Sequence, residues 1–334
     1  MHGRVKMEKS NTNALAKILR KYTLEIILVI TIIVLSFLSP YFLTVNNLFN
    51  ILRNISLQGV IAFGMTIVIV AGELDISISS SVALTGVITA LVAGNLESAG
   101  IMSRSAGVIP GMVLSLIVSI IIGFMNGWLV TRYKIPAMIV TLAMQNILYG
   151  IAALISRGFP VITLPNWYSF IGSGRVLKVV PFPVVILLIF FAITFFLLSY
   201  TKYGRAVFAV GGNAEAARLS GLNVKKTKII SFIIIQVCCW FSGIMLSSQV
   251  MSGTFTFAKG WEMTAISSVV IGGASIAGGI GNMWGTMLGI IFLGVLTNGM
   301  TLLNVNDYTQ YVVRGALIIF AVLLSATQQQ HNNR

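Results

Sequence analysis

Among the carboxylates within or beside the apolar stretches of this chain are Glu73 and Asp75 in AGELDISISS, and Glu262 in KGWEMTAISS. A charge near the centre of a bilayer costs at least about 2.5–3.5 kcal/mol, so it normally has a partner or lines water. A hydrated pathway or hinge would use Glu73, Asp75 and the following Ser77. A loop at the membrane surface would leave the acids merely solvated, and the short neighbouring run allows either depth. Glu262 begins a helical pattern, where its charge suits the helix N-terminus. Enzymatic sets are missing. His2 and His331 lie at the two ends, so no Ser–His pair forms within the apolar runs. The aspartates are Asp75 and Asp307, too few for a diphosphate-binding metal motif, and no GxxxxGK[ST] phosphate loop occurs. Any use of ATP therefore needs another subunit. Cys238 and Cys239 are adjacent and lack metal or redox spacing.

Glycine marks a second interruption, GGASIAGGIGN at 272–282. Glycine permits positive φ and close backbone approach, and it weakens a helix by roughly 1 kcal/mol relative to alanine. A re-entrant turn or hinge at Gly273, Gly278 and Gly279 is the expected outcome. Uncharged polar residues also fall inside apolar runs: Asn126, Thr141, Gln145, Asn146, Gln236, Asn298 and Gln310. They suit a neutral polyhydroxylated solute and equally suit hydrogen bonds between helices. Asn126, Gln145, Asn146 and Asn298 join the two interruptions as candidates for the translocation pathway.

Between two strongly apolar runs lies GGNAEAARLSGL, residues 211–222. Asn213 is a good N-cap, Glu215 falls in the first turn, Arg218 follows one turn later, and Gly221 suits a left-handed C-cap. Two turns of helix are unstable alone in water. Ala214 and Ala217 form a narrow face, with Glu215 and Arg218 able to anchor the ends. Alanines offer little area for lying on lipid. The expectation is a docking helix for a cytoplasmic protein.

The elements that must carry these residues follow from composition. The chain has 334 residues, 57% hydrophobic and 9% charged, where a soluble domain carries roughly 25% charged residues. Apolar runs near 24–42, 57–71, 78–95, 107–131, 135–156, 183–200, 229–250, 262–277, 283–303 and 309–326 predict an all-α polytopic membrane protein. About ten transmembrane helices are expected, some broken or re-entrant. The expected layout is an N-terminal tail at 1–21, a membrane domain at 22–327 with a cytoplasmic loop at 201–228, and a C-terminal tail at 328–334. The loop at 157–182 reads as a partly ordered interfacial segment. Placing alternate loops from a cytoplasmic N-terminus puts fifteen Lys and Arg inside against six outside, so both termini are expected in the cytoplasm. The net charge of +14 thus marks membrane edges rather than a nucleic-acid surface. VIVAGELDISISSSVALTG (68–86) and VVIGGASIAGGIGNMWGTMLG (269–289) share a pattern, as do GFMNG (123–127) and GVLTNG (294–299). Such paired interruptions are the mark of a duplicated transport fold.

GGNAEAARLSGL resembles the EAA loop of ATP-binding-cassette importer permeases, in the branch of ribose-type and other monosaccharide permeases. AGELDISISSSVALTG is similar to the GGIDLSVGS-type segment of that branch, departing from it at Glu73 and Ser79. KIPAMIVTLAMQNILYG, GWEMTAISSVVIGGASIAGGIGNMWGTMLG and GVLTNGMTLLNV follow the branch's pattern in the same order. The resemblance implies a permease subunit in a bacterial plasma membrane, paired with a second copy or a sister permease. It implies a cytoplasmic ATPase that binds ATP and magnesium, none being held by this chain, and an extracytoplasmic sugar-binding protein. Glu215, Ala216, Ala217 and Gly221 become the ATPase-coupling positions. The alternative is an ion-coupled secondary transporter of a small polar solute, with Glu73, Asp75 or Glu262 as the coupling acid.

Overall fold

The computed structural model describes residues 22–162 and 164–332. The tail expected at 1–21 lies outside them. Each of the ten apolar runs is a helix. The first five are α1 (Thr23–Leu38), α2 (Val45–Val70), α3 (Ile78–Ser98), α4 (Arg104–Tyr133) and α5 (Ala137–Ile155). After a short α6 (Ser169–Ser173) come α7 (Phe182–Tyr200), α8 (Lys202–Gly212), α9 (Ala214–Leu219) and α10 (Val224–Val250). The last three are α11 (Trp261–Ile271), α12 (Met283–Leu302) and α13 (Asp307–Asn332). Helix α13 continues through the described part of the segment expected as a C-terminal tail.

Among the described residues seven helices, α2–α5, α7, α10 and α12, are long and apolar enough to cross a membrane. Helix α11 is not: its 11 residues reach only about 16 Å, against about 30 Å of hydrocarbon. The run expected to continue to 277 stops at Ile271, where Gly272 and the left-handed Gly273 take over.

Helices α2 and α10 form the centre. From Gly59 to Val70 every residue of α2 is buried, which marks a helix surrounded by others rather than one facing lipid. Helix α4 packs through small residues spaced four apart: Gly107 and Gly111 meet the backbone of α3 at Ala93 and Thr89, and Gly123 and Gly127 meet α10 at Ile233 and Ile229. Hydrocarbon offers no hydrophobic drive between helices, so this close van der Waals approach holds the bundle. A β-carbon on Gly127 would stand 2.7 Å from the Ile229 Cα.

Contacts define two ends. At one lie Arg132, Lys134, α8, α9 and the start of α10; this is the basic end. At the other, strands β1 (Arg175–Val176) and β2 (Val180–Pro181) pair antiparallel, Val161 bridges Gly253, and the Tyr168 hydroxyl bonds Ser247 at 2.7 Å. The described residues of the segment at 157–182 therefore pack on the bundle. Of the two internal echoes, GFMNG lies on α4 while GVLTNG lies on α12. These helices follow their interruptions at different places in the order, so that echo does not mark equivalent elements.

Candidate coupling site

Helix α9 forms for local reasons. The Asn213 Oδ1 accepts from the Glu215 and Ala216 N–H groups at 3.1 and 2.9 Å. At the other end Gly221 has φ +84°, with Gly221 N–H donating to Arg218 O and Leu222 N–H to Ala217 O, a Schellman cap. Arg218 is bonded to Glu215 along the exposed surface. That hydrogen bond, then the Arg218 charge, lowers the Glu215 pKa, with Lys134 adding a smaller pull.

The alanine face does not look outward. Ala217 is buried at 5% exposure, and α9 packs on α8 and α10. The chain itself thus supplies the support that a two-turn helix needs. The face left open carries Glu215, Ala216, Arg218 and Leu219, the last 74% exposed. Leu219 was missed in the sequence reading because it looks like one more residue of an apolar pattern.

Helix α8 was also missed: within the expected loop its 11 residues form an amphipathic rod. Its end, Gly211–Gly212, rests on both interruptions. The Gly279 N–H donates to Val70 O at 2.9 Å. A β-carbon on Gly278 would stand 2.7 Å from Gly211 O and 2.8 Å from Gly72 Cα, and one on Gly279 would stand 2.7 Å from Gly212 Cα. One on Gly211 would meet Val70 O. Three backbones touch where no side chain intervenes.

The interruptions match each other. Helix α2 ends with Gly72 at φ +81° and α11 with Gly273 at φ +91°. In the first, Glu73 N–H donates to Val68 O and Gly72 N–H to Ile69 O; in the second, Ala274 N–H donates to Val269 O and Gly273 N–H to Val270 O. Behind them Thr66 and Thr286 hydroxyls bond at 2.7 Å.

Glu73 and Asp75 are not freely solvated. Glu73 pairs with Lys228 of α10 at 2.5 Å, the side chains only 13% and 18% exposed. Asp75 is fully buried. Its Oδ1 accepts from the Ser77 N–H and hydroxyl at 2.9 and 2.6 Å, and its Oδ2 from Gln236 Nε2 at 2.9 Å. Asn126 Nδ2 donates to the same Ser77 Oγ at 3.1 Å. Asn126 lies seven residues before the end of α4, about 10 Å at 1.5 Å per residue. Asp75 therefore sits inside the bundle, fixing the first interruption to α4 and α10, while Ile76 N–H donates to Thr141 of α5.

The remaining candidates are dispersed. Gln145 donates to Ser79 at 3.1 Å, and the exposed Asn146 donates to Leu142 O of its own helix. Asn298 exchanges two hydrogen bonds with Asn47, joining α12 to α2. Asp75, Ser77 and Asn126 form one cluster, and Gly278 and Gly279 belong to the glycine junction. Among the described residues no cluster of three His, Cys, Asp or Glu side chains stands where it could hold a metal ion.

Residues 47–322 match the family described as "Branched-chain amino acid transport system / permease component". The chain is 38% identical over 308 residues to the ribose import permease protein RbsC of Escherichia coli K12, covering 91% of this chain and 93% of that one. RbsC of Bacillus subtilis 168 is 36% identical over 301 residues, covering 89% and 90%. The L-arabinose ABC transporter permease protein AraH of Azospirillum brasilense is 35% identical over 300 residues, covering 90% and 85%. No solved structure is a significant match.

Proposed function

The chain belongs to the branched-chain amino acid transport system / permease component family, and we propose on that premise that it is the membrane-spanning subunit of an ATP-driven importer of a monosaccharide. The names of its ribose and arabinose relatives support a sugar as the solute. A separate cytoplasmic ATPase holds ATP and magnesium, an extracytoplasmic binding protein delivers the sugar, and a second permease copy or sister completes the passage. The excess of Lys and Arg supports a cytoplasmic position for the basic end and both termini in a bacterial plasma membrane.

The observation that carries this reading is the contact of α8, on which α9 packs, with both interruptions. Closure of the ATPases on ATP pushes the open face of α9, formed by Glu215, Ala216, Arg218 and Leu219. Helix α8 turns with it, and its Gly211–Gly212 end bears directly on the breaks after α2 and α11. Packed helices have discrete arrangements rather than continuous ones, so a small shift at this junction becomes a rocking of one helix group against another. No covalent chemistry is asked of this chain.

Ion coupling is a poorer fit. Glu73 is engaged by Lys228, and Asp75 receives three hydrogen bonds. The two mechanisms separate in vesicles holding the permease, its ATPase and its binding protein. Uptake of radiolabelled ribose, arabinose or leucine is measured with ATP inside, with and without an uncoupler. The expected result is sugar uptake that needs ATP and survives the uncoupler. Uptake by the permease alone, collapsed by the uncoupler, would overturn the proposal.

A further inference from the structure

The expected loop between residues 42 and 57 is helix from Val45 onward, and this opposite-end half of α2 carries a row of polar side chains. Asn46, Asn50 and Asn54 are exposed and spaced four apart, with Arg53 half-buried beside them. At 100° per residue these four fall within about one third of the helix circumference. Val45, Leu48 and Leu52 form a separate exposed apolar strip. Arg175 stacks over Phe49 at 5.4 Å, which places this half of α2 beside the β1–β2 hairpin.

The row has no use inside the chain. Among the described residues none of the three asparagine side chains makes a hydrogen bond, Arg53 forms no ion pair, and its Nε is buried without a partner. Asn47, one residue away, is fully engaged with Asn298 and Phe42 O. Arg53 and Asn54 lie eight and nine residues into α2, about 12–13 Å along the helix. Placed in hydrocarbon, these amides and the guanidinium would go unsatisfied. A contact with a second copy would pair residue i with residue j and j with i, and cross-linking between copies separates that arrangement from a groove.

We propose that Asn46, Asn50, Arg53 and Asn54 line a water-filled groove at the extracytoplasmic side, and that their amides and guanidinium bind the hydroxyl groups of the passing sugar. Amides donate and accept, as a polyhydroxylated neutral solute requires. The exposed row stops where α2 becomes wholly buried at Gly59. The identity of the solute rests on the import reading; the hydration of the groove does not.

The test uses the full-length permease with Cys238→Ala and Cys239→Ala, assembled with its partners in vesicles. Single cysteines replace Asn50, Asn54, Leu52 or Ser56, and a charged, membrane-impermeant thiol reagent is added from each side in turn. The expected result is fast labelling of N50C and N54C from the extracytoplasmic side, slowed by ribose, with L52C facing lipid and buried S56C unlabelled. Transport by Asn50→Leu should fall about fivefold to tenfold, the loss of one hydrogen bond, while Leu52→Ala transports normally. If N50C and N54C resist the reagent as L52C does, or cross-link to their counterparts in a second copy without being labelled, the groove does not exist. Labelling requires no ATP, so its failure would leave ATP-driven uptake standing, and the reverse also holds.

Discussion

Asp75 is a buried carboxylate whose donors come from its own turn and from α10, with α4 reaching the same Ser77 hydroxyl. An asparagine of the same shape would turn an amide N–H toward groups that are already donors. A hydrogen bond to a charged group contributes about 1.5–3 kcal/mol. We therefore expect Asp75→Asn to lower the thermal unfolding midpoint of the detergent-purified protein by several degrees, with weaker transport at a given temperature. An unchanged midpoint would mean that the cluster does not depend on the charge. Sequence alone left the acid's depth open, because the side chains that fix its turn, Asn126 and Gln236, sit far along the chain. Glu73 is legible only in part for the same reason: its partner Lys228 lies 155 residues away.

Helix α9 was legible from end to end, since its stop and start signals, Asn213 and Gly221, are local. Its orientation was not. Which face turns inward depends on where α8 and α10 stand, and Ala217 proves to be on the buried side. The open Leu219 makes a specific expectation: Leu219→Ser leaves folding intact, because the side chain is 74% exposed, but weakens co-purification of the ATPase by about tenfold, an apolar side chain lost from a packed contact. Retention of the ATPase at the level of the unsubstituted protein would show that α9 docks by another face. The ten apolar helices were legible from hydropathy, though seven of them are long and apolar enough to cross a membrane among the described residues, whereas the first turns of α2 were not legible. Asn46, Asn47, Asn50, Arg53 and Asn54 depress the local apolar average, and the asparagines' spacing of four was the signal available there. Helix α8 was hidden by Gly211 and Gly212, which read as chain breakers when taken alone. The third dimension gives them another use: they let three backbones touch.

At the scale of the whole molecule, the two ends are unlike. The basic end holds α9 and both interruptions, and the opposite end holds the polar row of α2. On the proposed function, movement enters at the first and opens a way to the second. The account depends on Gly211, whose missing side chain lets α8 bear on Val70 O and Gly279. Its neighbour Gly212 has open space where a β-carbon would go, so Gly212→Ala is the natural control. The most direct measurement records sugar uptake and ATP hydrolysis together in vesicles carrying the complete importer. Gly211→Ala should still bind the ATPase and hydrolyse ATP while sugar moved per ATP falls about tenfold or more, as expected when a backbone contact in a packed junction is forced apart; Gly212→Ala should match the unsubstituted protein. Equal sugar per ATP in the two variants would contradict the account.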